Sequence, residues 1–384
     1  MSKLLEQINT ESRIGSIKDL VFPVSNTYDF SNIDKVVFIN TGDVHEGKFL
    51  HKDYSNTKKL PGQAKKIIEF GDMVFSEIRP KNRHYALVDF DSKDYVVSTK
   101  LIVLKVKENI DPRFAYIVLT ADQNLMEFQN IAESRSGTFP QITFDAIADY
   151  EVNIPKLLIQ KKIADILSAY DSKIENNNKL IKNFEATAQT IFNEWFVDFR
   201  FPGYEKVKMA DSETGEIPEG WDVGKIEDVV TRLSTQKTYK EESLLNKGSV
   251  PVYDQSSKGI IGFHNEEPSF EASINDPILI FGDHTCRIQI ICEPFSLGPN
   301  TIPLGGKNSY GPIFTYFLTK GSIGQREYKR HWGELSNIVF FIPPVELAKN
   351  FVLKIKSFIS KIVTLEKENT KLKELRDLLL VKLI

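Results

Sequence analysis

Between Ile163 and Trp195 apolar residues return in alternating steps of four and three: Ile163, Leu167, Tyr170, Ile174, Ile181, Phe184, Ala188, Ile191 and Trp195, with Asn177 as the plainly polar exception. The same spacing runs through Phe351, Ile355, Phe358, Ile362, Leu365, Leu372 and Leu379, interrupted by Asn369 and Arg376. A period of about 3.5 residues lines one helix face and predicts coiled-coil packing. Lys161, Lys162, Asp165, Asp171, Lys173 and Glu175 fall on the outer face and read as solvated surface. An apolar stripe of this length gains many kcal/mol on burial, at about 25 cal/mol per Å², so each helix needs a partner.

A duplicated unit folded about a pseudo-twofold axis makes the two helices antiparallel. One register then sets Trp195 opposite Phe351, Ile191 opposite Ile355, Ala188 opposite Phe358, Phe184 opposite Ile362 and Ile181 opposite Leu365. It continues with Ile174 opposite Leu372, Tyr170 opposite Arg376 and Leu167 opposite Leu379, and it places Asn177 against Asn369. A hydrogen bond between the two asparagines is expected to fix the register, because a buried amide is costly unless paired. The seam is roughly 50 Å long at 1.5 Å per residue. A spacer of that size suits two modules on a duplex, where half-sites on one face recur about every 34–36 Å.

Duplication is supported elsewhere. Pro112, Phe114 and Tyr116 are echoed by Pro312, Phe314 and Tyr316; Ile14–Val21 by Val223–Val230; Phe70-Gly71-Asp72 by Phe281-Gly282-Asp283; and Ile154-Pro155 by Ile342-Pro343, all in the same order. Short β-like runs at Lys35–Ile39, Met73–Ile78, Tyr85–Phe90 and Leu101–Val106 alternate with turn signals. Pro112–Gln129 reads as one helix with Pro112 in its first turn, and its Phe114, Ile117, Val118 and Leu119 read as core. The expected class is α+β: two pseudo-twofold-related globular α/β domains separated by two long antiparallel coiled-coil helices. The expected boundaries are a first domain over 1–155, a central helix over 156–200, an exposed linker over 201–220, a second domain over 221–343 and a distal helix over 344–384. Trp221 is expected to seal the edge of the second domain.

Composition narrows the function. The chain has 384 residues and a formal net charge of −3, so no global field marks a nucleic-acid partner, and any such binding must rest on local basic patches. Cys286 and Cys292 are the two cysteines, which fits ordinary thiols in a reducing cytoplasm. No apolar run approaches the roughly 18 residues of a membrane span, and MSKLLEQINTESR lacks a signal-peptide core. Catalytic motifs are missing. Gly305-Gly306-Lys307-Asn308 lacks the first glycine and the hydroxyl of a phosphate loop, and no Asn/Asp-Pro-Pro-aromatic motif is present. The six histidines are scattered, so no metal site is expected. Glu77 and Lys81 near Gly71-Asp72 have no acid–lysine counterpart in the second copy, which argues against a nuclease and for a buried turn.

The run IPKLLIQKKIADILSAYDSKIENNNKLIKNFEATAQTIFNEWFVDF resembles the central region of type I restriction–modification specificity subunits. IPEGWDVGKIEDVV resembles the entry to their second target-recognition domain, FGDMVFSEIRP and FGDHTCRIQ resemble their Gly-Asp strand motif, and LKELRDLLLVKLI resembles their distal end. The resemblance implies a non-catalytic, cytoplasmic DNA-specificity subunit that reads a bipartite target of double-stranded DNA. It implies that the helices dock two methyltransferase subunits, with a restriction subunit as a further partner. S-adenosylmethionine and ATP belong to those partners, and no cofactor is expected on this chain. The alternative is a structural coiled-coil scaffold whose globular domains bind proteins.

Affinity for DNA should come from cations on phosphate and specificity from side chains at base edges. In the first domain the candidates are Arg79, Lys81, Asn82, Arg83 and His84, then Arg135, Ser136, Thr138 and Gln141. In the second they are Gln255, Lys258, His284, Thr285, Lys329 and Arg330, with Arg287 and His331 adjoining. Arg79 and Arg287 serve equally well as structural ion-pair partners on this reading.

Overall fold

The computed structural model describes residues 6, 8, 10–135, 140–235, 237–324 and 329–383. The chain forms two compact units, one of residues 1–174 with 371–384 and one of residues 175–370. Each is built of mixed helix and sheet, and each takes one stretch of either long helix.

In the first unit Ser12–Ser16 pairs antiparallel with Glu151–Pro155. A Cβ on Gly15 would stand 2.6 Å from Ile154 Cδ1, so the bare glycine leaves room for the Ile154 side chain across the pair. The strand turns into the short helix Ile17–Leu20, where the Asp19 carboxylate accepts the Ser16 N–H at 2.9 Å. An antiparallel sheet follows in the order Val21–Val24, Leu101–Val106, Met73–Ser76, Tyr85–Leu87. A second sheet runs Tyr54–Asn56, Lys35–Ile39, Tyr95–Ser98, Ala64–Ile67, with its middle pair parallel. Ile17, Leu20, Phe75, Phe114, Phe128, Ile163 and Leu167 are buried together as the main core.

The span expected as one helix is two, Pro112–Thr120 and Asp122–Arg135. Ala121 is extended between them, with φ −58° and ψ 135°. The break is held by buried Asn124, whose amide donates to the Val118 carbonyl at 2.7 Å and accepts from the Tyr150 hydroxyl at 3.0 Å. A carbonyl freed at a helix end is thus satisfied by a side chain.

The second unit repeats the plan. Asp222–Lys225 pairs with Val339–Ile342, and the helix Ile226–Val229 follows. Gly224 would place a Cβ 2.3 Å from Ile342 Cδ1. The main sheet runs Val230–Arg232, Thr301–Gly306, Ile278–Gly282, Ile288–Ile291, and the smaller sheet Ile260–His264, Val250–Tyr253, Ser296–Leu297. The strand registers correct one sequence echo. Met73 pairs with Leu104, and Leu279 pairs with Leu304. Phe75-Ser76-Glu77 therefore corresponds to Phe281-Gly282-Asp283, whereas Phe70-Gly71-Asp72 precedes its strand. The two Gly-Asp pairs occupy opposite ends of equivalent strands, although both aspartates are buried.

The segment read as an exposed linker is mostly exposed, but it is not a plain connector. It holds the hairpin Met209–Ser212 with Gly215–Pro218. Its Phe201 and Ile217 are buried with Trp221, and Phe196, Phe199 and Phe201 surround that indole. Glycine, proline and charge here mark a hairpin and its turn.

The long helices are Leu157–Phe196 and Val345–Leu383, of 40 and 39 residues. They run antiparallel. In the second unit Trp195 meets Phe351 at 6.1 Å and Phe184 stacks on Phe358 at 5.6 Å. Asn177 Nδ2 donates to Asn369 Oδ1 and to Glu368 Oε2, both at 2.9 Å, while Asn369 Nδ2 donates to Asn178 Oδ1 at 2.9 Å. Asn177 Oδ1 is buried without a donor among the described residues. In the first unit Leu379, Leu380 and Leu383 join Ile163 and Leu167 in the core. Arg376 leaves the seam there and binds Asp171 at 2.7 Å. Among the described residues no helix is long and apolar enough to cross a membrane.

Candidate nucleic-acid interface

In the first unit the strand Met73–Ser76 opens into a loop that closes where the Ser76 N–H donates to the His84 carbonyl at 2.9 Å. Arg79 and Arg83 are left-handed, at φ +45° and +57°, and bracket the 3-10 turn Pro80–Asn82. Non-glycine residues in that region cost about 1–2 kcal/mol each and persist where the surroundings enforce them. The surroundings here are explicit. The Arg79 N–H donates to the Pro140 carbonyl at 3.1 Å, and Ile78 bridges to Gln141. Buried Gln129 accepts the Lys81 N–H through Oε1 at 3.2 Å and donates to Glu133 at 2.7 Å. Arg83 lies 2.8 Å from Asp122 and 3.5 Å from Glu46. The Asp122 carboxylate holds its guanidinium more firmly protonated than usual. Lys81 is 3.6 Å from Glu133. The His84 Nδ1–H donates to the Val44 carbonyl at 2.6 Å.

Five candidates therefore share one loop, with Gln141 beside it. Arg79, Lys81, Asn82 and Gln141 are exposed, and Arg83 and His84 are half-buried. Arg135 is exposed at the end of its helix, and among the described residues its side chain makes a long 3.4 Å contact with the Thr143 hydroxyl. Ser136 and Thr138 lie outside the described residues.

The second unit has a shorter loop at the same place. The Gly282 N–H donates to the Arg287 carbonyl at 2.8 Å, and Cys286 is left-handed at φ +56°. Gln255 is the organiser. Its Oε1 accepts the His284 N–H at 3.0 Å, and its carbonyl accepts the Thr285 hydroxyl at 2.9 Å. His284 Nδ1–H donates to the Lys329 carbonyl at 3.0 Å. Gln255, His284, Thr285, Lys329 and Arg330 thus come together. Lys258 stands in the turn after Gln255, 3.7 Å from Glu241. Arg287 is structural, donating to the Ser256 carbonyl. His331 is fully buried, 2.7 Å from Glu334, and is withdrawn from any surface.

The two loops share their anchors. Glu77 N–H donates to the Lys100 carbonyl and Asp283 N–H to the Asn300 carbonyl, both at 3.0 Å. Ile142 N–H donates to the Glu77 carbonyl and His331 N–H to the Asp283 carbonyl, both at 2.8 Å. Gln141 and Arg330, each one residue earlier, therefore hold matched positions at the loop edge. Sequence reasoning missed the carboxylates facing the cations. Besides Asp122 and Glu133 these include Asp283, which is 3.8 Å from Arg330 and accepts the His331 and Trp332 N–H groups at 3.1 and 3.0 Å.

No three His, Cys, Asp or Glu side chains converge as metal ligands among the described residues. The closest approach to a serine–histidine pair is His264 Nε2 at 2.9 Å from Ser296 Oγ. His264 Nδ1 accepts the Glu266 N–H at 3.1 Å, so the ring proton sits on Nε2 and is donated to Ser296. That tautomer cannot take a proton from the hydroxyl.

Residues 12–186 match the family described as type I restriction modification DNA specificity domain. The HindI type I restriction enzyme specificity subunit of Haemophilus influenzae is 49% identical over 185 residues, covering 48% of this chain and 40% of that subunit. The MjaIX specificity subunit of Methanocaldococcus jannaschii is 25% identical over 274 residues, covering 65% and 63%. The chain thus spans less than two thirds of the length of either relative. The type-I restriction-modification system S subunit from M. genitalium has a similar fold, with a TM-score of 0.58 at 17% identity over 98% of this chain and 97% of that one.

Proposed function

We propose that this chain, whose residues 12–186 match the type I restriction modification DNA specificity domain, is the non-catalytic DNA-recognition subunit of a type I restriction–modification complex. On this reading residues 1–155 and 221–343 are target-recognition domains, and the helical segments 156–200 and 344–384 dock methyltransferase subunits, two in number. A system that also cuts DNA adds a restriction subunit to the same complex. Methyl transfer from S-adenosylmethionine and any ATP-driven step belong to those partners.

One observation carries the proposal. Each unit ends the same sheet strand in a loop closed by the same backbone hydrogen bonds, and the two loops present different polar side chains. A constant frame with variable tips suits two readers of different half-sites, hence a two-part target. Arg79, Lys81, Asn82, Arg83, His84, Arg135 and Gln141 would face one block, and Gln255, Lys258, His284, Thr285, Lys329 and Arg330 the other.

Selection of the full chain on random duplex pools tests this. Two specified blocks with an unread gap are expected. Arg79→Ala should relax one block and Arg330→Ala the other, each by about 1–3 kcal/mol if the side chain reads a base. A phosphate contact would instead lower the salt slope by about one. Enrichment of no split motif would favour a protein-binding scaffold.

A further inference from the structure

Five of the candidate cations are already paired with carboxylates in the free protein. Arg83 is held by Asp122 and Glu46, and Lys81 by Glu133. Lys258, Lys329 and Arg330 stand 3.7, 3.4 and 3.8 Å from Glu241, Glu334 and Asp283. Arg79 and Arg135 have no carboxylate partner among the described residues. Both Asp122 and Glu133 lie on the helix Asp122–Arg135, whose buried Gln129 also fixes the main chain of Lys81. One rigid element therefore positions the loop and neutralises it.

Random-sequence affinity comes from cations that displace counterions on phosphate. A cation paired within the protein contributes less to it, and a carboxylate beside the loop repels the duplex. Base-edge contacts available only on the correct sequence can compensate for opening the pair. We infer that Asp122 and Glu133 are specificity-determining residues, which suppress binding of the first unit to random DNA while leaving binding to the correct target largely intact. This rests on the DNA-recognition reading proposed above.

The experiment compares the full wild-type chain with Asp122→Asn, with Asp122→Asn/Glu133→Gln and with Asp165→Asn. The last removes one negative charge from an ion pair with Arg113, an exposed contact elsewhere in the same unit. Each is titrated with a random duplex and with the split motif selected by the wild type, over a series of salt concentrations. The double variant should bind random duplex about tenfold tighter, with a salt slope steeper by about one to two. Its gain on the selected motif should stay below about threefold, and Asp122→Asn should show an intermediate gain. Asp165→Asn should match the wild type on both. Asparagine and glutamine keep hydrogen-bond acceptors for Arg83 and Gln129, and a misfolded variant would lose affinity rather than gain it. An unchanged or reduced random affinity in both loop variants, an equal gain on the two duplexes, or an equal gain in Asp165→Asn overturns the inference. If the wild type selects no motif, the recognition reading fails and this inference fails with it. If it does select one and the variants do not discriminate less, only this inference fails.

Discussion

The loop of the first unit runs seven residues from Glu77 to Arg83, and that of the second four from Asp283 to Cys286, between strand ends tied by the same hydrogen bonds. Arg83 and Cys286, the last residue of each, are both left-handed. Length and chemistry vary while the closure does not. The sheet and its backbone contacts form the constant part, and the side chains offered to a ligand form the variable part. Support for the loops differs too. In the first unit the helix Asp122–Arg135 braces the loop through Gln129, whereas in the second Gln255, in the turn after the strand Val250–Tyr253, does so.

The largest departure from equivalence should appear at Gly306. It pairs with Val230 as Val106 pairs with Val21. A Cβ on Gly306 would lie 1.8 Å from the Tyr310 carbonyl oxygen, a backbone atom that cannot turn aside. Gly306→Ala is expected to destabilise the second unit by about 3 kcal/mol or more, and Val106→Ala the first by about 1 kcal/mol, in urea unfolding followed separately for each unit. Equal effects would mean that the Tyr310 main chain does not approach Gly306 as closely as the structure has it.

A smaller contrast concerns the helix seam. The asparagine pair is buried in the second unit, while the polar contact of the first, Arg376 with Asp171, is exposed. Asn369→Ala should cost about 1–2 kcal/mol by removing the acceptor of one buried Asn177 N–H, the other still donating to Glu368. Leucine at both Asn177 and Asn369 should be neutral or stabilising, since Asn177 Oδ1 already lacks a donor. Arg376→Ala should cost less than about 1 kcal/mol. Urea midpoints distinguish the three.

The smallest expected effect is one of acidity. Burial lowers the pKa of His264 below its ordinary 6.5. The folded ring stays neutral where the unfolded ring takes a proton, so this contribution to stability is complete above pH 6.5. It declines as pH falls from there through the folded value. The midpoint of the second unit should therefore drop over that window, and His264→Gln should flatten the decline. A pH-independent midpoint in the wild type would contradict the burial assigned to this ring.

Period and propensity made several elements legible. Lys35–Ile39 and Leu101–Val106 are strands over the very residues the β-like runs mark, and the heptads place Asn177 and Asn369 in one register. Tertiary partners decided the rest. The helix break at Ala121 depends on Asn124 meeting Tyr150, 26 residues away. The Gly-Asp echo misled because three letters carry no strand register. Arg79, Arg83 and Gln141 could be named from their chemistry, but Asp122 and Glu133 could not be linked to them, since a separate helix supplies both carboxylates.

Because both loops are closed at their ends by the same main-chain hydrogen bonds, whatever side chains they carry, the interior can be lengthened, shortened or rewritten without asking the sheet to refold. Mutation can then explore new sequence preferences as one would swap bits in a drill chuck, with the grip unaltered by whatever it holds.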